Sequence, residues 1–276
     1  MSKRNQQPYF CVVGNPIQHS KSPLIHSMFG EQTGLDLCYV AIETHFDDFV
    51  STVDDFRRAG GLGMNVTVPF KEQAWRLADE HSDRAIHAQA VNTLTLDGKH
   101  IYGDNTDGVG LVRDLEQNLG LQLQNATVLL LGAGGAVRGV LAPLLNAGVR
   151  SLTLANRTVQ KAVDLARTFQ PVGNITGGGY DDLPDSPFDL IINGTAASLA
   201  GQLPPLPASV FGDHTLAYDM MYGDRPTVFM EWAGANGAAR VSDGLGMLVE
   251  QAAESYYVWN RVRPETRPVI EKLRQS

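Results

Sequence analysis

The sequence has few of the features that mark secreted, membrane or nucleic-acid-binding proteins. Two of its 276 residues are cysteines, Cys11 and Cys38, and both lie in apolar strand-like runs, so we expect buried free thiols rather than a disulfide. No apolar run approaches the roughly eighteen residues that cross a bilayer, and we expect no signal peptide at the N-terminus. The net charge of −8 argues against sequence-independent nucleic-acid binding. A cytoplasmic protein is predicted.

Residues 127–158 predict a nucleotide-binding βαβ unit. The unbroken apolar run 128–131 is typical of a strand covered on both faces of a parallel sheet. Gly132, Gly134 and Gly135 follow directly, and then come apolar residues at helical spacing and a second strand. Glycines at such a turn let the backbone approach a pyrophosphate at the helix N-terminus. Val137 stands where the usual third glycine would be, so a purely structural turn is the alternative.

The residues after the second strand favour NADP(H). An NAD site usually places an acidic residue there, to bind the ribose 2′-hydroxyl. This chain has Asn156, Arg157 and Thr158, with Lys161 one helical turn further on. These cations and donors suit a 2′-phosphate. The alternative is that Thr158 only caps the next helix and that both cations are solvated.

Strands and helices alternate along the chain, which predicts an α/β fold with mainly parallel sheets, and the length allows about two domains. We expect Ser22 to be the N-cap of a helix that has proline at its first position. A strand is predicted over 62–68, in which Asn65 and Thr67 face the same way. A helix over 109–119 leads into the nucleotide-binding unit, and the domain junction is placed near it. The last predicted helix, 245–260, would make the first domain discontinuous if it returned there.

The polar residues of the first half gather at predicted strand ends and loop starts, where ligands bind in open α/β sheets. They are Ser20, Ser22, Asn65, Thr67, Lys71, Asn92 and Asp107. Hydroxyls and amides suit a hydroxyl-rich substrate. Lys71 lies in a first helical turn, where a cation is unusual because the helix dipole disfavours it. A lysine in such a position is a candidate for proton transfer, and Asp107 could pair with it. Each residue also has a structural explanation, such as Ser22 as a cap and Asn92 as a hairpin partner.

A series of motifs, in order, resembles the shikimate dehydrogenase family: GNPIQHSKSP, NVTVPFK, AVNTL, GDNTDG, GAGGAVR, NRT and GMLVEQAA. The match spans essentially the whole chain. The resemblance implies a substrate-binding α/β domain of residues 1–107 plus 244–276 and a Rossmann-type NADP-binding domain of residues 108–243. It implies reversible, NADPH-dependent reduction of 3-dehydroshikimate to shikimate in aromatic amino-acid biosynthesis. No metal site is expected; the expected partner is the small-molecule substrate, without nucleic acid or membrane, and the expected assembly is a monomer or homodimer.

The resemblance also assigns residues. It implies that Ser20, Ser22 and Thr67 bind the substrate carboxylate and that Lys71 and Asp107 form the catalytic pair. The ring hydroxyls would be held by Asn65, Asn92, Asp107 and Gln251, with Tyr222 nearby. The implied cofactor-binding residues are Gly132, Ala133, Gly134, Gly135, Ala136, Asn156, Arg157, Thr158, Lys161, Met220, Gly244 and Met247. Lys161 stands where the family commonly has arginine, so the NADP preference is expected to be softer. Residues 193–198 match the family's loop only loosely, and no contact is predicted for them.

Three other functions compete with this interpretation. A quinate/shikimate dehydrogenase that also accepts NAD would be expected to carry an acidic residue near Asn156. A dehydrogenase of the methylenetetrahydrofolate type would need an aromatic platform for its substrate. A non-catalytic NADP-binding sensor would be expected to lack chemistry-bearing residues, yet Lys71 and Asp107 are both present.

Overall fold

The structure is a computed structural model that describes residues 7–195 and 202–275. These residues form two compact units, one of residues 7–107 and 249–275 and the other of residues 108–195 and 202–248. Each unit is built on a six-stranded sheet with helices, which confirms the predicted α/β class. Cys11 and Cys38 are free thiols, as predicted, but only Cys11 is buried, and Cys38 is half-buried. None of the helices in the described ranges is long and apolar enough to cross a membrane.

The first unit alternates strands and helices and then closes with a hairpin. Its sheet has the order β2-β1-β3-β5-β6-β4; β1, β2 and β3 are parallel, and β5 runs antiparallel to both neighbours. The elements are β1 (Tyr9–Gly14), α1 (Ser22–Thr33), β2 (Cys38–Glu43), α2 (Phe49–Arg58), β3 (Gly61–Val66), α3 (Lys71–Leu77), β4 (Glu80–His81), α4 (Asp83–Ala88), β5 (Thr93–Asp97) and β6 (His100–Asp104).

The second unit is a doubly wound parallel sheet. Its strand order, β12-β11-β10-β7-β8-β9, is that of dinucleotide-binding folds. Since all these strands are parallel, their carboxyl ends meet at one edge. The elements are α5 (Asp107–Arg113), β7 (Thr127–Leu131), α6 (Gly135–Asn146), β8 (Ser151–Ala155), α7 (Val159–Phe169), β9 (Ile175–Gly178), β10 (Leu190–Asn193), β11 (Leu216–Asp219), α8 (Val228–Ala235) and β12 (Arg240–Ser242). The chain ends with α9 (Leu245–Asn260) and α10 (Arg267–Arg274).

The two faces of the first sheet are covered differently. Cys11, Val13 and Met64 join side chains of α2 and α3 in a buried core. On the opposite face, the Trp259 ring of α9 stacks on Phe10 with centroids 4.8 Å apart. It also lies over Gly63, where an added Cβ would stand 2.4 Å from its indole nitrogen. Glycine is therefore required at position 63 for this part of α9 to reach the sheet.

Several predicted boundaries were wrong. The N-cap of α1 is Lys21, without a side-chain capping bond, so Ser22 is the first residue of the helix and its hydroxyl is not used as a cap. β3 ends at Val66, so Thr67 lies in the following loop rather than in the strand. The helix expected to begin at residue 109 begins at Asp107, and a π-helical turn, Asp114–Asn118, ends it.

Three strands were not predicted. β4 has two residues, β9 contains two glycines, and β12 is a short edge strand with exposed side chains. Each is therefore too short or too weakly patterned to show the alternation by which strands are recognised.

Candidate functional site

Lys71 and Asp107 form an ion pair in the first unit. Lys71 Nζ lies 2.6 Å from Asp107 Oδ2, and the two side chains are 25% and 11% exposed. Asp107 begins α5, where the positive end of the helix dipole stabilises a carboxylate. Lys71 begins α3, where the same dipole disfavours a cation, and the carboxylate of Asp107 offsets this effect. The structure thus brings together the two residues that the sequence pairs.

The amide of Asn92 holds Asp107 from the other side. Its Nδ2 donates to Asp107 Oδ1 at 2.7 Å and to Thr106 Oγ1 at 2.9 Å. Its Oδ1 accepts from the Thr106 backbone N–H at 2.9 Å and from the Thr93 hydroxyl at 2.9 Å. Gln251 Oε1 of α9 is 3.4 Å from the same Nδ2. Asn92 is therefore more than a hairpin partner, because it fixes the orientation of the carboxylate.

Asn65 belongs to the same buried network. Its Nδ2 donates to Ser255 Oγ at 2.9 Å and to Thr93 Oγ1 and the Asn92 carbonyl at 3.2 Å. Its Oδ1 accepts the Tyr39 hydroxyl at 2.7 Å. Ser255 and Thr93 are 3.0 Å apart, so the hydroxyls join the two amides. Thus hydrogen bonds and the ion pair connect five of the predicted site residues: Asn65, Lys71, Asn92, Asp107 and Gln251.

Of the three predicted carboxylate-binding residues, Ser20 and Thr67 lie on the loops after β1 and β3, and Ser22 is the first residue of α1. Ser20 Oγ accepts from the Ser22 backbone N–H at 3.3 Å, and Ser22 is buried while Ser20 is half-buried. The Thr67 methyl lies 2.5 Å from the place a Cβ on Gly14 would take, so the two loops pack closely only because residue 14 is glycine. Since β1 and β3 are adjacent and parallel, these hydroxyls lie near the carboxyl ends of the two strands, where Asn65 also lies.

The glycine turn of the second unit is open at its helix end. Gly132 has a φ of +106°, which side-chain-bearing residues rarely adopt. Chain neighbours and the backbone of α6 aside, no described atom lies within 4 Å of a Cβ added to Gly134 or Gly135, and α6 begins at Gly135. The backbone N–H groups of the first turn of α6, with Ala133 and Ala136 beside the glycines, are therefore approachable. This geometry fits a pyrophosphate.

The residues predicted to select NADP follow β8. Arg157, Thr158 and Lys161 are exposed, and the Asn156 amide donates to the Thr158 carbonyl at 2.9 Å. Thr158 occupies the N-cap position of α7 but makes no side-chain capping bond. The capping part of the alternative is therefore wrong, and binding of a phosphate by the exposed cations stays a prediction. The exposed cations and the Thr158 hydroxyl fit a phosphate bound beside the carboxyl ends of β7 and β8, which are adjacent parallel strands.

The remaining predicted cofactor residues lie near the end of β11 and the start of α9. An added Cβ on Gly244 would be 2.4 Å from the Met220 carbonyl oxygen, so glycine is required there for packing. Met247 is buried in the core of the second unit. Tyr222, on the loop after β11, is half-buried, and burial raises the pKa of its phenol. Ligand contacts of these residues stay predictions.

The loop after β10 is held internally. The Thr195 hydroxyl donates to Asn193 Oδ1 at 2.7 Å, and the Asn193 amide donates to Asp219 at 3.2 Å. Residues 196–198 of the loosely matching segment lie outside the described residues.

Sequence reasoning missed four residues of the buried network: Tyr39, Thr93, Thr106 and Ser255. Thr106 lies inside GDNTDG, and Ser255 is one helical turn after Gln251, so both carried a local signal. Thr93 follows Asn92 at the start of β5. Tyr39 carried none, because its contact is with a residue 26 positions away.

The doubly wound sheet, its open glycine turn and the polar network of the first unit define an α/β protein of the dinucleotide-binding class. Family models for the shikimate dehydrogenase substrate binding domain and for shikimate / quinate 5-dehydrogenase match residues 12–94 and 114–200. The chain belongs to the shikimate dehydrogenase family.

Relatives and solved structures agree along nearly the full length. The chain is 57% identical over 267 residues to the shikimate dehydrogenase (NADP(+)) of Hahella chejuensis. The matched region covers 97% of this chain and 98% of that one. It is similar to the crystal structure of an Ael1 enzyme from Pseudomonas putida, with a TM-score of 0.91, 48% identity and coverage of 96% and 98%. The shikimate 5-dehydrogenase of Thermus thermophilus, solved with NADP(H) and shikimate, has a TM-score of 0.84, 33% identity and coverage of 97% and 99%.

Proposed function

We propose that this protein is an NADP-dependent shikimate dehydrogenase that reversibly reduces the ring ketone of 3-dehydroshikimate to the alcohol of shikimate. The observation that carries the proposal is the 2.6 Å Lys71–Asp107 pair, set in a network of amides and hydroxyls. The printed name of the 57% identical relative, which is a shikimate dehydrogenase (NADP(+)), supports the same activity. In this role the enzyme would act in aromatic amino-acid biosynthesis.

The ion pair would supply the proton of the reaction. When bound, NADPH supplies the hydride to the carbonyl carbon. Protonated Lys71 stabilises the negative charge that develops on the carbonyl oxygen and donates the proton that completes the alcohol. Asp107 holds the ammonium in place and accepts a hydrogen bond from the reacting hydroxyl. In the direction of shikimate oxidation, Lys71 takes the proton back.

The other first-unit residues would bind and orient the substrate. Ser20, Ser22 and Thr67 are proposed to donate hydrogen bonds to the carboxylate. Asn65, Asn92 and Gln251 are proposed to hold the ring hydroxyls; the resemblance adds Tyr222, which belongs to the second unit. Buried amides discriminate strongly against a substrate that lacks the matching hydroxyl, because the loss leaves a buried polar group unpaired.

The second unit would hold the cofactor. We propose that the pyrophosphate contacts the turn 132–136, that Asn156, Arg157, Thr158 and Lys161 contact the 2′-phosphate, and that Met220, Gly244 and Met247 contact the rest of the cofactor. The proposed functional domains are residues 1–107 plus 244–276 for substrate and 108–243 for NADP. A cytoplasmic location is proposed, to which free Cys11 and Cys38 are suited, with a monomer or homodimer as the assembly.

The test is initial-rate absorbance of reduced nicotinamide, with shikimate and quinate each crossed with NADP+ and NAD+. We expect activity with shikimate and NADP+ that exceeds the other three combinations. Comparable rates with quinate or NAD+ would favour a quinate/shikimate dehydrogenase of broader cofactor use. Binding of NADPH without turnover of either acid would overturn the proposal in favour of a non-catalytic sensor.

A further inference from the structure

Tyr39 donates a hydrogen bond to one of the predicted substrate-binding residues, and neither the sequence motifs nor the family comparison assigns it a role. Its hydroxyl donates to Asn65 Oδ1 at 2.7 Å. Burial raises the pKa of this phenol well above its usual value. Tyr39 thus lies against a residue that is predicted to bind a ring hydroxyl of the substrate.

Strand register explains how the side chain of Tyr39 reaches Asn65. Tyr39 on β2 pairs with Phe10 on β1, and Asn65 on β3 pairs with Val12 on β1, so Tyr39 and Asn65 lie on one face of the sheet, on the two strands that flank β1. The phenol therefore extends diagonally across β1. Helix α1 carries Ser22 one turn before His26, and the His26 ring covers the Tyr39 ring.

The phenol has little freedom to move. Its ring stacks on that of His26 with centroids 4.0 Å apart and an interplanar angle of 9°. His26 is 1% exposed and is itself packed against the rings of Phe29 and Trp259. A ring clamped in this way presents its hydroxyl at a fixed point, so the hydrogen bond to Asn65 has a defined direction.

A fixed donor matters because the terminal torsion of an asparagine amide is soft, and its partners decide which way it faces. The Nδ2 side of Asn65 is held by Ser255, Thr93 and the Asn92 carbonyl. On the Oδ1 side, the Tyr39 hydroxyl is the donor that opposes them. An amide oxygen has two lone pairs, so accepting this hydroxyl does not prevent it from accepting one from a ligand.

We propose that Tyr39 is a positioning residue for substrate recognition: its hydroxyl fixes the Asn65 amide so that Asn65 can bind one ring hydroxyl of the substrate. This inference rests on the proposed function. Tyr39 acts through Asn65 and takes no part in proton transfer, so its loss weakens substrate binding and leaves the chemical step intact.

The test compares Tyr39→Phe with Tyr256→Phe. Tyr256 is a matched control because it is buried beside the same His26 ring and its hydroxyl pairs with Thr33, not with the site. Each change removes one phenolic oxygen. We expect Tyr39→Phe to raise the KM for shikimate about tenfold, the size of one net hydrogen bond, with kcat within about threefold. Tyr256→Phe should leave both constants near wild type.

Two monodeoxy shikimates, each lacking one of the ring hydroxyls that is not oxidised, locate the effect. If Tyr39 acts through Asn65 on one hydroxyl, the KM ratio of Tyr39→Phe to wild type should fall to near one for one analogue and persist for the other. Adding Tyr39→Phe to Asn65→Ala should then cause no further loss.

Equal losses with all three substrates, or a Tyr39→Phe variant that behaves like Tyr256→Phe, would overturn the positioning role while leaving the proposed function in place. A wild-type protein that fails to oxidise shikimate would instead overturn the proposed function, and this inference with it.

Discussion

Two clusters of charged residues in the first unit differ in how fully their hydrogen-bonding groups are used. The first is the Lys71–Asp107 pair; the second, here called the Arg84 cluster, consists of Ser82, Arg84, Asp104, Glu254 and Arg263. Arg84 donates through Nε and one terminal nitrogen to both oxygens of Asp104, at 2.7 and 2.6 Å. Its other terminal nitrogen donates to Glu254 at 2.9 Å, and Arg263 donates to the second oxygen of Glu254 at 2.8 Å.

Lys71 uses its ammonium differently. It has one hydrogen bond among the described residues, to Asp107, although an ammonium has three donors. Burial lowers the pKa of Arg84, but the hydrogen bonds and charges of Asp104 and Glu254 outweigh burial and raise it. An arginine that divides three donors between two buried carboxylates has a structural role, whereas a half-buried lysine with two donors unused among the described residues is suited to a ligand. The comparison also accounts for the residue types, because the arginine fork locks geometry and the lysine ammonium can lose its proton.

The largest expected effect comes from removing the spare donors. Lys71→Ala should lower kcat about a thousandfold, within the range of general acid–base catalysis, while the KM for shikimate stays within about tenfold. Lys71→Arg should not restore kcat, because a guanidinium keeps its charge and does not release a proton at neutral pH. Steady-state kinetics with thermal unfolding as a folding control tests this. A near-normal kcat for Lys71→Ala would remove the lysine from the mechanism.

Breaking the Arg84 cluster should instead act on stability. Arg84→Ala leaves the carboxylates of Asp104 and Glu254 buried without their main partner, which we expect to reduce the free energy of unfolding by about 3 kcal/mol. Urea unfolding followed by circular dichroism measures it. Arg76→Ala is the matched control, since Arg76 and its partner Glu72 are about 70% exposed. The control should change little. Similar unfolding curves for the two variants would contradict the structural role of Arg84.

His26 is a buried group that makes the stability of the fold depend on pH. Burial lowers the pKa of His26 from 6.5 to about 3. Its Nε2 has no hydrogen-bond partner within the described residues. The folded state therefore keeps His26 neutral, and the unfolded state binds a proton below pH 6.5. The contribution of His26 to the free energy of unfolding is therefore fully present above pH 6.5 and is lost as the pH falls toward 3.

His26→Phe keeps an aromatic ring at this position and removes the titration. Between pH 7 and pH 5, the wild type should lose about 2 kcal/mol more of its free energy of unfolding than this variant. Urea unfolding of both proteins across that pH interval isolates the histidine from the carboxylates, which they share. Parallel pH profiles would show that His26 is protonated in the folded protein.

The sequence predicted those parts of the molecule that local patterns encode. The glycine turn after β7 lies in one short pattern, and Lys71 and Asp107 each lie in a short motif at a helix start, although the two residues are 36 positions apart. The Ser22 cap was wrong by one residue, because Ser-Pro does not say which residue adopts the capping conformation. The hydrogen bond from Asn65 to Ser255 joins residues 190 positions apart, and that from Arg84 to Glu254 joins residues 170 positions apart. Only the folded sheet and the returning helix bring such partners together.

The smallest effect is expected at Lys161, in the predicted 2′-phosphate site, where the difference between lysine and arginine again applies. Lys161 is an exposed point charge in the first turn of α7, whereas arginine there could form a bidentate fork to a phosphate. Lys161→Arg should therefore raise the ratio of kcat/KM for NADP+ to that for NAD+ by about threefold, the gain of a fraction of one charge-assisted hydrogen bond at an exposed site. Lys161→Gln should lower the ratio, and kcat with saturating NADP+ should be unchanged in both. Steady-state kinetics with both cofactors provides the measurement.

An unchanged ratio in both variants would mean that Lys161 does not contact the 2′-phosphate. Arg157 would then be the residue to test in the predicted phosphate site.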